Sequence, residues 1–308
     1  MQTVLITGGN GMIGKALTSH LVDKGYKVIV LTRQLPAQKS TLPEIEFALW
    51  DTKKQTIDIA AVQKADYIIH LAGAGVVDKK WTATYKKEIQ QSRTESSKLL
   101  LTTLQNNANK IKAVVSASAI GWYGEDVAGE KPFVETDKPA SGFLGETCVL
   151  WEQSITPVEA LQKRLVKIRI GIVLSNEGGA LAEFKKPVKL GVAGILGDGS
   201  QVVSWIHIDD LCRLFMYAIE NENLSGVYNA VAPVPVTNKA LTLELAKKMR
   251  GKFFIPLHVP AFVLKIMLGD RSIEVLKSTT VSDAKIKQAG FTFLFPTVDV
   301  ALGQLCKI

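Results

Sequence analysis

Three glycines near the start of the chain have the spacing of a phosphate-binding turn. Gly8, Gly11 and Gly14 stand between a short apolar run and a segment whose apolar residues recur with the period of a helix. Glycine allows the backbone to turn tightly and a pyrophosphate to approach it, and the free N–H groups of a helix N-terminus attract negative charge. We therefore predict a dinucleotide site in this strand–turn–helix unit. Its contact residues are Gly8, Asn10, Gly11, Met12, Ile13 and Gly14.

The end of the next apolar strand carries a basic residue where NAD-binding proteins carry an acidic one. Residues 27–31 have the composition of that strand, and Thr32 and Arg33 follow it. A guanidinium and a hydroxyl suit the 2′-phosphate of NADP, and one charge-assisted hydrogen bond contributes ~1.5–3 kcal/mol. Arg33 alone would thus favour NADP(H) over NAD(H) by roughly ten- to a hundredfold. The alternative is a solvated arginine in a loop.

Alternating apolar strands and helices predict the sheet that positions these residues. The further elements are predicted at residues 46–50, 65–71, 82–107, 114–119, 143–162 and 165–174. Strands separated by helices indicate an α/β fold with a doubly wound parallel Rossmann sheet, whose ligands bind at the carboxyl ends of the strands. Ser118 falls on that edge, and the polar stretch 121–142 after it is predicted to be a functional loop.

The rest of the chain predicts a smaller α/β region on the substrate side of the sheet. The predicted boundaries are 1–175 for the NADP-binding domain, 200–235 for a segment that returns to it, 176–308 for the smaller substrate region, and 250–305 for a C-terminal module within that region. Gly191–Gly199 is predicted to be a glycine-rich loop, and Asp209 is predicted to be the N-cap of a helix.

Composition limits the class of protein. The chain has 308 residues, 47% of them hydrophobic, and contains no apolar run long enough to span a membrane. Its net charge of +8 comes from scattered Lys and Arg without interleaved aromatics, which indicates solubility and attraction for small anions rather than nucleic acid binding. Three cysteines without paired spacing, four dispersed histidines, and a first strand that starts at Met1 predict a cytoplasmic protein without disulfides, metal or signal peptide. We expect a monomer or homodimer with a small-molecule substrate and no membrane partner.

Motifs along the whole chain resemble the extended short-chain dehydrogenases/reductases. The matching stretches are the glycine turn, His70-Leu71-Ala72-Gly73, Ser116-Ala117-Ser118-Ala119 with Tyr123-Gly124, and Ile206-His207-Ile208-Asp209-Asp210. Trp151-Glu152, Gly197-Asp198-Gly199, Ser204-Trp205 and Phe295-Pro296 are similar to the atypical branch called epimerase family proteins (YfcH-like), which carries a C-terminal domain of unknown function. The resemblance covers essentially all of the chain.

The resemblance implies further contacts to the cofactor NADP(H). The positions that match the family's contacts are Thr32, Arg33, Leu71, Ala72, Gly73, Glu88, Arg93 and Val173. For Glu88 and Arg93 the alternative is an ion pair on a helix surface, which contributes only about 0.3–0.5 kcal/mol.

The chain departs from the family at the residues that move a proton. Typical members use a Tyr-x-x-x-Lys pair, in which the lysine lowers the pKa of the phenol. This sequence contains no such pair, and alignment on Pro139-Ala140-Ser141 places Phe143 and Thr147 at those positions. Ser118, which would polarise a substrate carbonyl, and Tyr123 are the candidate catalytic residues. Glu146 and His207 are further candidate proton donors.

Two hypotheses about function follow from these patterns. The first is an NADP(H)-dependent nucleoside-diphosphate-sugar epimerase or reductase that acts on a small polar substrate. The second is a non-catalytic NADP(H) sensor or scaffold, which the missing Tyr-x-x-x-Lys pair suggests.

Overall fold

A computed structural model describes residues 1–38 and 40–307 of the chain. The strands are β1 (Thr3–Thr7), β2 (Lys27–Thr32), β3 (Ile45–Asp51), β4 (Thr56–Ile57), β5 (Tyr67–His70), β6 (Ala113–Ala119), β7 (Arg164–Ile170), β8 (Ile172–Leu174), β9 (Val192–Leu196), β10 (Val202–Val203), β11 (Trp205–His207), β12 (Gly226–Ala230), β13 (Val236–Thr237) and β14 (Ile255–Val259). The α-helices are α1 (Met12–Asp23), α2 (Ile59–Lys64), α3 (Ala83–Asn106), α4 (Phe143–Ile155), α5 (Gly179–Lys189), α6 (Ile208–Glu220), α7 (Asn238–Arg250), α8 (Ala261–Leu268), α9 (Ser272–Leu276), α10 (Ala284–Gln288) and α11 (Val298–Leu305). Short 3-10 helices cover Ile120–Trp122, Thr156–Leu161 and Gly269–Arg271.

The central sheet has the order β12-β7-β6-β5-β1-β2-β3-β4. Its neighbouring strands are parallel except for β3 and β4, which are antiparallel. The chain proceeds from β1 to one side through β2 and β3, then crosses to the other side of β1 through β5, β6 and β7. The crevice of a doubly wound sheet forms at such a reversal, here beyond the carboxyl ends of β1 and β5. This topology confirms the predicted α/β fold.

Helices bury both faces of the sheet, which is why its strands are apolar throughout. Every residue of β1 is buried. On one face Leu17 of α1 and Phe215 of α6 join the strand side chains, and on the other face Val62 of α2 and Leu100 of α3 do so. A parallel sheet needs this double cover because both of its faces are hydrophobic.

Most of the buried apolar residues after β8 belong to two cores. Leu181 of α5, Leu245 of α7 and Leu302 of α11 form a separate hydrophobic core, next to a small sheet made of β9 and β14. By contrast, α6 and β12 return to the central sheet, and Phe291 packs against the same core. The carboxylate of buried Asp210 accepts hydrogen bonds from the backbone N–H groups of Leu294 (2.9 Å) and Phe295 (2.8 Å), which fixes the C-terminal segment to α6.

Two local predictions are wrong. The predicted loop Gly191–Gly199 contains strand β9, whose partner β14 lies some sixty residues later, so its pairing leaves no local sequence pattern. Asp209 is inside α6 rather than at its N-cap; the cap is His207, whose imidazole Nδ1 accepts a hydrogen bond from the Asp209 N–H at 3.1 Å.

In the part of the chain that the structure describes, no helix combines the length and the apolarity required to cross a lipid bilayer.

Candidate functional site

The glycine turn has the geometry that its sequence predicts. Gly8 has a φ of +71°, and a Cβ at Gly8 would lie 2.8 Å from the carbonyl carbon of Leu71. A Cβ at Gly14 would lie 2.4 Å from the Gly8 oxygen, so α1 packs directly on the turn. Gly11 is the N-cap of α1 and no side chain caps this end. The first N–H groups of α1 are therefore available to an anion, and the residues present fit a pyrophosphate.

An open cavity lies beside this turn at the carboxyl end of β2. Its volume is about 390 Å³ and its lining residues are Asn10, Thr32, Gln34, Leu35, Pro36, Ala37 and Phe47. The side-chain amide of Asn10 donates to the Thr32 hydroxyl at 3.2 Å, and that hydroxyl donates to the Gln34 carbonyl at 2.9 Å. Arg33 lies in sequence between the lining residues Thr32 and Gln34, and its side chain is exposed. None of these seven lining residues is acidic.

The ends of β1 and β5 are joined by hydrogen bonds that centre on Thr7. The Thr7 hydroxyl oxygen accepts from the backbone N–H groups of Leu71 and Ala72, both at 3.1 Å. The Thr7 hydroxyl can therefore donate its proton to Nδ1 of His70 at 2.7 Å. In that tautomer Nε2–H of His70 donates to the Ser97 hydroxyl at 3.2 Å. This chain of bonds holds the predicted contact residues Leu71 and Ala72 against the glycine turn.

We expect His70 to make stability depend on pH. Burial, and secondarily the charge of Arg93, lower its pKa to about 3 from the ordinary 6.5. Between these values the unfolded chain binds the proton and the folded chain does not, so stability is full above pH 6.5 and falls as the pH falls towards 3. From pH 7 to pH 5 the unfolding free energy should decrease by about 2 kcal/mol more in the wild type than in His70→Asn.

Urea unfolding at the two pH values measures this difference. His258→Asn, which replaces an exposed histidine, is the matched control and should keep the wild-type difference. An equal decrease in wild type and His70→Asn would show that His70 does not titrate in this way.

Arg93 is a buried cation at the carboxyl edge of β5. Its Nη1 donates to the carbonyls of Ala74 (3.0 Å) and Ile89 (2.8 Å), and burial lowers the pKa of the guanidinium from its ordinary value. A Cβ at Gly73 would lie 3.0 Å from its Cζ. Within the described residues, no carboxylate lies within salt-bridge distance of it. Its charge is compensated by these carbonyl oxygens and by the ring of Trp151, whose centre lies 4.7 Å from Cζ.

Glu88 lies on the same helix but does not pair with Arg93. It is exposed, and its carboxylate lies 3.6 Å from Lys79 Nζ. The helix-surface ion pair that was the alternative for these two residues is therefore not formed. The structure brings Arg93 to the edge of the sheet and leaves Glu88 at the surface.

Met12 and Val173 both lie next to Gly179. A Cβ at Gly179 would lie 3.4 Å from Met12 Cε and 3.7 Å from the Val173 carbonyl oxygen. Val173 pairs with Ile206 in the two-stranded sheet of β8 and β11, and Ile13 packs against the main core. The predicted contacts of residues 12 and 173 thus lie close together although far apart in sequence.

Ser118 is hydrogen-bonded to a buried ion pair. Its hydroxyl donates to Glu152 Oε1 at 2.7 Å, and Arg169 donates to both oxygens of Glu152 at 2.8 and 3.1 Å. The three side chains are all less than a tenth exposed. Burial opposes the charge of Arg169, but the hydrogen bonds and charge of Glu152 raise its pKa above the ordinary value.

Tyr123 belongs to the same buried network. Nη1 of Arg169 donates to its phenol oxygen at 3.0 Å, and the phenol donates to Asn229 Oδ1 at 2.7 Å. Burial, partly offset by the charge of Arg169, raises the pKa of Tyr123 to about 12. A phenol with this pKa and a committed proton is a poor acid or base near neutral pH.

No sequence pattern marks Glu152, Arg169 or Asn229 as partners of Ser118 and Tyr123. The available signal was weak: Arg169 is one of three basic residues in β7, and Glu152 follows Trp151 on α4. A buried arginine requires a counter-charge, and only the fold could show which carboxylate supplies it.

Phe143 and Thr147 occupy the positions where a tyrosine and a lysine were expected. Phe143 is the first residue of α4 and its ring packs edge-on against Trp81, with ring centroids 4.9 Å apart. The Thr147 hydroxyl donates to the Phe143 carbonyl at 2.6 Å, inside the helix. Lys86 Nζ lies 5.5 Å from the centre of the Phe143 ring.

The other two candidate proton donors, Glu146 and His207, do not belong to the buried network of Ser118 and Tyr123. Glu146 is exposed on α4. His207 is fully buried, stacks on Phe295 with ring centroids 3.7 Å apart, and donates from Nε2 to Gln304 Oε1 at 3.1 Å. Both of its ring nitrogens are thus occupied by structural hydrogen bonds. Among residues 1–38 and 40–307, no cluster of three or more His, Cys, Asp or Glu could hold a metal ion.

Two stretches of this chain match known family models. Residues 4–145 match the model of the NAD dependent epimerase/dehydratase family, and residues 259–305 match a domain of unknown function, DUF1731. Over 308 residues and 99% of both chains, this chain is 35% identical to Epimerase family protein SSP1921 of Staphylococcus saprophyticus.

Similar solved structures include the following two, each of which aligns with 99% of this chain. Human epimerase family protein SDR39U1, crystallised with NADPH, has a TM-score of 0.85 and 27% identity, and 99% of it is covered. A nucleoside-diphosphate sugar epimerase from Corynebacterium glutamicum has a TM-score of 0.77 and 30% identity, and 58% of it is covered. The chain therefore belongs to the epimerase family proteins, an atypical group of extended short-chain dehydrogenases/reductases.

Proposed function

We propose that this protein binds NADP(H) and uses it to reduce or epimerise a small polar substrate. The observation that carries the proposal is the cavity at the end of β2, which has Thr32 in its wall, Arg33 beside it and no acidic lining residue. The similar human protein was crystallised with NADPH, which supports the same choice. When bound, the dinucleotide supplies a hydride donor or acceptor.

The residues of this chain would hold the cofactor at three places. The N-terminus of α1 and the turn at Gly8 and Gly11 would take the pyrophosphate. Thr32 and Arg33 would take the 2′-phosphate. Arg93 would place its positive charge beside Gly73, at the crevice where the nicotinamide half of a dinucleotide lies in this fold.

Ser118 and Tyr123 act in this proposal as positioning residues. Their hydroxyl protons are committed to Glu152 and Asn229, and neither side chain has a surface that a substrate could touch. Through this network they fix α4, and with it Phe143, against the carboxyl edge of the sheet. Because the Tyr-x-x-x-Lys pair is missing, another group supplies the proton of the reaction. The substrate class to test first is a nucleoside-diphosphate sugar, which is named for the Corynebacterium glutamicum relative.

Arg93→Met should weaken the binding of NADPH and NADH equally, by about tenfold. The reason is that Arg93 faces the half of the crevice that both dinucleotides share, and a charge-assisted contact contributes ~1.5–3 kcal/mol. Isothermal titration of each cofactor measures the effect. Lys98→Met removes an exposed cation from the same helix and should leave both affinities unchanged.

The titrations also test the proposal itself. The wild type should bind NADPH more tightly than NADH, and should transfer label from stereospecifically labelled NADPH to a nucleotide-sugar ketone. Equal affinities for both dinucleotides, or none for either, would refute NADP(H) binding. Affinities that Arg93→Met leaves unchanged would remove Arg93 from the site.

A further inference from the structure

The segment from Arg250 to Gly269 combines apolar and basic residues without any acidic one. Its cations are Arg250, Lys252 and Lys265, and most of its other residues are large and apolar. It comprises the end of α7, strand β14 and helix α8.

The structure leaves the apolar side chains of this segment exposed. On β14, Ile255 and Leu257 share one face and are 70% and 56% exposed. On α8, Leu264 is buried and Val263 and Leu268 are partly buried, while the other side chains are exposed. We call the exposed set the apolar surface; its members are Phe253, Ile255, Leu257, Phe262, Ile266, Met267 and Ile273. Soluble monomers rarely expose so many large apolar side chains within so short a stretch unless they bind something.

The charged side chains around the apolar surface that have no partner are positive. Within the described residues, Lys189, Lys252 and Lys265 are exposed and have no carboxylate within 4 Å. The acidic residues close by in sequence are already paired, Asp270 with Lys86 at 2.9 Å and Glu274 with Lys277 at 2.7 Å. An apolar face bordered by free cations is complementary to a surface that offers both apolar chains and negative groups.

The same features disfavour a second copy of the chain as the partner. A two-fold interface places a patch against itself, so the unpaired Lys252 and Lys265 of one copy would meet a patch that offers them no unpaired carboxylate. The open edge of β14 cannot extend its sheet regularly, since Ile255 donates its N–H towards β9 and the next residue, Pro256, has no N–H to offer on the outer side. The helix α8, with 8 residues, is about 12 Å long and can lie on a bilayer but not cross it.

We propose that the apolar surface docks this protein onto an anionic lipid bilayer. Phe262, Ile266 and Met267 enter the boundary between headgroups and acyl chains, and Lys252 and Lys265 contact the anionic headgroups. The contact lies on the C-terminal region.

Co-sedimentation of the full chain with vesicles tests the proposal. Vesicles of phosphatidylcholine with a third of phosphatidylglycerol should bind the protein at least tenfold more tightly than pure phosphatidylcholine. Phe262→Ser with Ile266→Ser, and separately Lys252→Glu with Lys265→Glu, should each reduce that binding at least tenfold. Val127→Ser with Lys53→Glu changes exposed residues elsewhere and should bind like the wild type.

Three results would overturn the proposal. They are no binding to anionic vesicles, equal binding to both vesicle types, and a dimer in solution that the Phe262 and Ile266 changes dissociate, which would show that a second copy covers the surface. Light scattering measures the last of these. Circular dichroism and NADPH titration of each variant establish that it is folded, so a loss of vesicle binding reports on the surface itself.

Discussion

Glu152→Ala is expected to lower the free energy of unfolding by ~3–5 kcal/mol, one of the largest effects a single substitution has in a protein. The change leaves the Arg169 guanidinium buried beside Ser118 without its counter-charge. It also deprives the Ser118 hydroxyl of its acceptor. Urea unfolding followed by tryptophan fluorescence measures the loss.

Two comparisons isolate the buried charge as the cause. Glu183→Ala breaks an exposed ion pair to Lys186, where both side chains are 69% exposed, and should cost less than about 1 kcal/mol. The double change Glu152→Leu with Arg169→Met removes both charges and should cost less than Glu152→Ala alone. A single-variant loss as small as that of Glu183→Ala would mean that water or another group compensates Arg169.

Arg33→Ala should weaken NADPH binding by roughly ten- to a hundredfold and leave NADH binding nearly unchanged. Arg33 is the cation that follows β2 at the cavity of Asn10 and Thr32, and only NADPH carries a phosphate there to pair with it. The selective effect distinguishes Arg33 from Arg93, for which we expect both cofactors to lose affinity.

Fluorescence titration of the two cofactors at fixed ionic strength gives both constants. Lys27→Ala, at the exposed opposite end of β2, is the matched control and should bind both dinucleotides like the wild type. If Arg33→Ala weakens NADH as much as NADPH, the arginine contacts a part that the cofactors share, and the preference for NADP(H) must arise elsewhere.

The sequence by itself determined the features that depend on local chemistry. Gly8 and Gly14 predicted the turn because only glycine leaves room for its neighbouring backbone, and the structure places that backbone 2.8 and 2.4 Å from a Cβ. The alternation of apolar strands with helices predicted the doubly wound sheet, because a strand that is buried on both faces is apolar along its whole length. The absence of a Tyr-x-x-x-Lys pair was likewise readable without a structure.

Contacts between distant residues were decided by the tertiary structure alone. Ser118 meets Glu152, 34 residues later, and Tyr123 meets Asn229, 106 residues later. The sequence showed Ser118 and Tyr123 as possible catalytic groups, and the fold shows their protons committed to these partners. Strand β9 was unrecognisable without β14, and the exposure of Phe262 and Ile266 could not be read from their apolarity. In each case the physical reason is the same: a side chain's type fixes which partners it can have, and packing decides which partner, or none, it receives.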